Sequence, residues 1–268
     1  MFKSAARTIG ICSGKGGVGK TYCAINIARS IANKKKKVLL IDCDFNLGNC
    51  AFFLGINKYK TLVNISNGEK IENCVQFHPE FDFIGADSGD INILDGRINL
   101  TETLLKVIIK LQGNYDYILL DFGAGLDKKL LSVLAYCDHR FVVVNPNNLS
   151  LKDSYAMMKV LKNKYGTTDF TIVPNKVSGL KDTNKIMKIY DDVNNRFLGA
   201  DISYLPSVHI QSGEPDQIGQ PCFRERVSAT KIFDKVIQNF FEKYDEPILP
   251  FWKTPQKQDA FFARLRSN

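Results

Sequence analysis

The 268-residue sequence has no uninterrupted apolar stretch near the ~18 residues that a membrane span requires, no C-x-x-C pair, no internal repeat and no low-complexity block. Each absence removes a class of protein. No transmembrane helix is expected, and the apolar run 8–12, which leads straight into glycines, is too short for the core of a signal peptide. Seven cysteines, an odd number without regular spacing, fit neither a disulfide framework nor a zinc-ligand set, and they suit a reducing, cytoplasmic compartment. Cys12, Cys43 and Cys137 stand in apolar surroundings and read as small core residues. With 44% hydrophobic and 24% charged residues the chain can bury a sizeable core, which excludes disorder and coiled coil as its main state.

What is present in excess is positive charge. The 36 lysines and arginines against 28 acids give a formal +8, a balance that raises nucleic acid or an anionic membrane as a partner. Location weakens that inference. Lys34, Lys35, Lys36 and Lys37 supply half of the excess, between a helical pattern and the apolar run 38–41, where a solvated turn is expected. A second excess, eight lysines against three aspartates over 152–188, spans two expected helices and forms a candidate basic face.

Apolar runs of strand length alternate with amphipathic segments of helix length, the pattern of βα units and a parallel sheet. Strands are expected at 8–13, 38–42, 81–84, 117–121, 141–145 and 170–175, and helices at 21–32, 102–111, 128–135, 151–164, 181–197 and 229–241. The expected fold is α/β: a mostly parallel, twisted sheet flanked by helices on both faces, in one domain over 1–243 with a C-terminal tail over 244–268.

Directly after the first strand, residues 14–21 match G-x-x-x-x-G-K-[ST], the phosphate-binding loop, in the required context of strand before and helix after. Gly14, Gly16, Gly17 and Gly19 let the backbone wrap so that successive N–H groups, that of Val18 among them, face phosphate oxygens. The following helix, opening through Lys20, Thr21 and Tyr22, adds its N-terminal dipole. Lys20 neutralises the outer phosphates, and the Thr21 hydroxyl is placed for Mg²⁺. Asp42 and Asp121 end two expected strands on one edge of the sheet, where paired carboxylates are costly to desolvate without a cation.

A second lysine, Lys15, follows Gly14 immediately. The run from Lys15 to Thr21 resembles the deviant Walker A motif of the MinD/ParA group of P-loop ATPases. That resemblance implies ATP and Mg²⁺ as ligands and an ATP-sandwiched homodimer in which Lys15 reaches the partner's nucleotide. It further implies that Asp44 orients the attacking water, that Asp42 supports the metal's water shell, that Asp121 is the Walker B carboxylate, that Gly123 meets the γ-phosphate and that Asn175 reads adenine. An isolated strand-end asparagine is by itself a turn residue. Iron–sulfur relatives of the group are not expected, because no suitably placed cysteine ligands are recognisable.

Within the group, the segments 42–49, 52–55, 121–125, 145–156, 175–177 and 196–199 are similar to the FlhG (FleN, YlxH) branch. The branch implies a slow regulatory ATPase that sets flagellar number and placement, with the flagellar GTPase FlhF or a flagellar transcription regulator as partners. A MinD-type division regulator and a ParA-like DNA partition ATPase stand as alternatives, DNA being the weaker. Phe122 departs from the small hydroxyl residue usual there, and 208–211 departs from the usual Ile-Pro-x-Asp. His209, alone in that variant loop, has a surface or packing role. In the tail, Thr254 and Pro255 mark a helix start, with Phe261, Phe262 and Leu265 on one side, and 244–268 carries four positive and three negative side chains. Docking on the domain and peripheral contact with the cell membrane or a partner are the two readings of it.

Overall fold

The computed structural model describes residues 5–45, 48–86, 99–125, 128–209 and 227–244. Its strands are β1 (Arg7–Cys12), β2 (Val38–Cys43), β3 (Asp82–Ile84), β4 (Tyr117–Phe122), β5 (His139–Val144), β6 (Asp169–Val177), β7 (Asp201–Tyr204) and β8 (Val208–His209). They form a parallel sheet in the order β3-β2-β4-β1-β5-β6-β7, with β8 pairing parallel to the end of β6. The helices are α1 (Lys20–Asn33), α2 (Cys50–Leu54), α3 (Leu62–Ser66), α4 (Leu100–Leu111), α5 (Lys128–Tyr136), α6 (Asn148–Tyr165), α7 (Leu180–Val193) and α8 (Val227–Tyr244).

The pleat explains why the central strands read as continuous apolar runs. Along β4, Ile118, Leu120 and Phe122 enter one core while Tyr117 and Leu119 enter the other; along β2, Leu39 and Ile41 alternate in the same way with Val38 and Leu40. The first core is closed by α4, α5, α6 and α7 through Leu104, Leu134, Leu161 and Tyr190. The second is closed by α1 and α8 through Ile27, Ile31, Phe233 and Phe240. Cys12, Cys43 and Cys137 are free and buried, as expected of core residues.

All six expected strands and all six expected helices are present, with ends shifted by a few residues. The segment read as one helix over 181–197 is helical throughout, with a change of type: α7 runs to Val193 and a single π turn, Asn194–Leu198, completes it. The Asn194 amide donates to the Ala200 carbonyl at 2.9 Å and accepts from the Ala200 N–H at 2.8 Å, and the Lys162 ammonium donates to the Leu198 and Gly199 carbonyls. These bonds take over the carbonyls that another helical turn would have used. The short elements α2, α3, β7 and β8, and a 3₁₀ turn at Ile71–Cys74, carry too few residues to show a period and were not expected. Lys34 to Lys37 are exposed in the turn from α1 to β2, as expected. His209 is exposed, while residues 210–211 and the tail beyond Tyr244 lie outside the described residues. Among the described residues no helix is long and apolar enough to cross a membrane.

One buried group links this core to pH. His139 opens β5 and lies beside the rings of Phe240 and Tyr244, each 4.8 Å away, with its Nε2 unpartnered among the described residues. Burial, then the charges of Arg140 and Arg7, push its imidazole from 6.5 down to about 3. Between those values the unfolded chain takes up a proton that the native fold refuses, so stability is complete above the unfolded value and falls as pH drops below it. At about pH 5 the loss is ~2 kcal/mol, from about 1.4 kcal/mol per unit. In urea denaturation, His139→Phe should lose about that much less stability than the wild type between neutral pH and about pH 5.

Candidate nucleotide-binding site

Residues 13–19 leave the end of β1 and turn into α1. Gly17 and Gly19 have φ of +75° and +88°, left-handed values that a side chain resists. Gly14 answers to a different constraint. A Cβ there would stand 2.1 Å from the Ser154 nitrogen and 2.2 Å from the Asp153 carbonyl carbon, so α6 can approach the loop only because position 14 is glycine. The Gly14 N–H donates to the Ser154 hydroxyl at 3.2 Å, and the Gly125 N–H donates to the Ser13 carbonyl at 3.1 Å. Helix α1 begins after Gly19 with no side-chain cap. Its first backbone N–H groups therefore remain available to an anion.

The charged centre lies at the first turn of α1. The Lys20 ammonium donates to Asp121 Oδ1 at 2.8 Å, with the two side chains 7% and 1% exposed. Burial opposes the ammonium's charge, but the adjacent Asp121 carboxylate outweighs it and holds Lys20 above its ordinary value. Thr21 Oγ1 donates to Asp121 Oδ2 at 2.7 Å. Asp42 stands opposite Asp121 in the register of β2 and β4. Burial, then the charge of Asp121, raises the Asp42 carboxyl to about 7, although it accepts from the Asp44 N–H at 3.0 Å and the Cys50 N–H at 3.1 Å. Two buried carboxylates with an ammonium paired to only one of them suit a divalent cation, and Thr21, Asp42 and Asp121 offer oxygen donors of the kind magnesium takes.

The remaining expected residues are placed around this centre. The Asp44 carboxylate lies beside Gly123, where a Cβ would meet its Oδ1 at 3.3 Å, so the segments after β2 and β4 touch. Lys15 is half-buried; its carbonyl accepts from the Ser13 hydroxyl at 2.9 Å. Tyr22 sets its ring edge-on to Phe233 at 5.7 Å. Asn175, buried at the end of β6, donates to the Val18 carbonyl at 2.8 Å, and the neighbouring Lys176 donates to the Gly17 carbonyl at 2.8 Å. Phe122 packs into the core against Gly10, on the pleat face opposite the Asp121 carboxylate, so the expected loss of a hydroxyl there leaves an apolar contact in its place.

Two residues at the site went unrecognised in the sequence. Lys176 gave no signal beyond following Asn175. Cys50 directly follows the segment 42–49, and its thiol donates to Asp121 Oδ2 at 3.4 Å.

Residues 6–172 match the family described as AAA domain. The chain belongs to that family. Within it the chain is of the MinD/ParA type, as its fold and relatives agree. It is 25% identical over 201 residues to the antiactivator FleN of Pseudomonas aeruginosa, an alignment covering 74% of this chain and 72% of that one. It is 27% identical over 272 residues to the flagellum site-determining protein YlxH of Helicobacter pylori, covering 98% and 90% of the two chains. The cell division ATPase MinD of Pyrococcus furiosus shares the fold, with a TM-score of 0.72 at 22% identity over 89% of this chain and 99% of that one.

The two kinds of glycine constraint in the loop should separate by substitution. Gly17→Ala meets nothing within 4 Å among the described residues and pays for its left-handed backbone, about 1 kcal/mol. Gly14→Ala collides with backbone that cannot swing aside, and its cost should reach about 3 kcal/mol. Urea denaturation of the two variants without nucleotide checks the order.

Proposed function

We infer that this chain is a slow regulatory ATPase that dimerises on binding ATP and governs the number or placement of flagella. The observation that carries the nucleotide reading is the convergence of Lys20 and Thr21 on the buried Asp121 carboxylate, at the foot of a glycine loop and an uncapped helix N-terminus. A triphosphate entering the loop competes with Asp121 for the Lys20 ammonium, and the carboxylate so released becomes available to a cation. Thr21 and Asp121, supported by Asp42, would hold Mg²⁺, which offsets phosphate charge as the terminal bond breaks. Asp44 orients the water that attacks the γ-phosphate, giving ADP and phosphate, and the Gly123 N–H meets the γ-phosphate oxygens. Asn175 reads adenine once it exchanges its bond to Val18 for one to the base.

Lys15 supplies the coupling to a second copy. Among the described residues its ammonium takes part in no ion pair. A cation donated across a dimer offsets phosphate charge only when two subunits meet, which makes assembly depend on ATP. The flagellar role is supported by the similarity to FleN and YlxH along most of the chain. FlhF or a flagellar transcription regulator is the matching class of partner, with peripheral membrane contact through the tail. Division-site regulation remains the second reading, because MinD shares the fold. DNA partition is less favoured, because half of the excess positive charge lies in the turn at Lys34 to Lys37 and the lysine-rich span is interrupted by Asp153, Asp169 and Asp182.

Three measurements test this. Lys15→Ala and Lys20→Ala should both abolish ATP-induced dimerisation in light scattering, Lys20→Ala through lost nucleotide affinity; normal dimerisation of Lys15→Ala would overturn the coupling. Asp44→Ala should lower ATP turnover about 100-fold or more, and wild-type turnover no faster than the variant's would overturn the enzyme reading. Cells lacking the gene should show altered flagellar number; normal flagellation with misplaced septa would select the division reading.

A further inference from the structure

Cys50 touches both carboxylates of the site, and an all-oxygen magnesium site gives it no task. It is fully buried as the first residue of α2. Its N–H holds Asp42 Oδ2 at 3.1 Å, and its thiol lies 3.4 Å from Asp121 Oδ2. The Cys50 sulfur and one oxygen from each of Asp42 and Asp121 lie within 4.8 Å of one another. Other buried cysteines do something different: the thiols of Cys12, Cys43 and Cys137 point at backbone carbonyls of Phe141, Ile41 and Val133. Among the described residues, Asp42, Cys50 and Asp121 are the one His, Cys or carboxylate group so arranged.

The chemistry of this donor set differs from that of a magnesium cage. Magnesium takes oxygen and gains little from sulfur, whereas zinc and similar borderline-soft ions bind thiolate and carboxylate together and accept three protein ligands plus a water. Charge also balances. Two carboxylates, one thiolate and the Lys20 ammonium are neutralised by one divalent cation, with the thiol proton released to solvent. Such an ion takes over Asp121 oxygens that Lys20 and Thr21 hold in the nucleotide-free protein.

We propose that Asp42, Cys50 and Asp121 form a site for a thiophilic divalent cation of the zinc class, which occupies the nucleotide-free protein and competes with magnesium–ATP. The site itself stands on the ligand geometry; only the competition rests on the nucleotide reading above.

The test uses the full chain, chelator-treated, without nucleotide, in a phosphine reductant, titrated with Co²⁺ as a spectroscopic substitute for zinc. The wild type should develop a thiolate-to-cobalt charge-transfer band that saturates stoichiometrically and is chased by Zn²⁺. Cys50→Ser should abolish the band and weaken binding about tenfold or more, Asp42→Asn should weaken binding while keeping the band, and Cys43→Ser should behave as wild type. Should Cys50→Ser not fold, Cys50→Ala serves in its place. No band in the wild type, or an undiminished band in the Cys50 variant, overturns the site. Pre-bound Zn²⁺ should also raise the apparent Kd for magnesium–ATP about tenfold, and an unchanged Kd overturns the competition. ATP binding and turnover with magnesium but no cobalt band refute this site alone; a cobalt band without ATP binding refutes the nucleotide reading alone.

Discussion

The carboxylate of Asp121 is the contact on which the site depends. It accepts from Lys20 and Thr21 of α1 and from the thiol of Cys50 in α2, so one side chain on β4 ties together the elements that follow β1 and β2. A buried carboxylate without a partner is costly, and the Lys20 ammonium at 2.8 Å offsets part of that cost. Under the proposed nucleotide reading, the same arrangement would make the site responsive. The partner that neutralises Asp121 would also be the cation a phosphate attracts, so ligand binding and cation demand at the carboxylates would rise together.

Packing outside the motif gives the loop its shape. Helix α6 rests on Gly14, Asn175 fills the space beside Gly19 where a Cβ would stand 2.4 Å from its amide nitrogen, and Lys176 holds the Gly17 carbonyl from a left-handed backbone with φ of +55°. A left-handed lysine is uncommon and persists where surrounding contacts over-determine it. The loop is thus clasped by the strand and the helix that come after β5, at sequence separations above 130 residues.

Much of the fold was legible because βα alternation writes itself twice: in the apolar runs that strands buried on both faces require, and in the 3.6-residue repeat of the covering helices. The phosphate loop was legible because its constraint is local, glycines for positive φ and a lysine and threonine at one helical turn. Asp42 and Asp121 could be named as strand-end carboxylates, and the parallel register of β2 and β4 then set them side by side. The π turn at Asn194 is not legible because nothing in the helical repeat announces it; the bonds from Asn194 and Lys162 that close it come from side chains expected on an ordinary helix surface.

Taken alone, the sequence determined the parallel α/β architecture, the phosphate-loop motif, and the lysines and carboxylates proposed to work with it, since each rests on spacing along the chain. Only the tertiary structure decided what those groups face. Cys50 becomes part of the carboxylate cluster because α2 begins against the ends of β2 and β4. Gly14 becomes irreplaceable because α6 passes within bonding distance of its absent side chain. Both facts depend on contacts between residues far apart in the chain, where no local pattern is required and none is written.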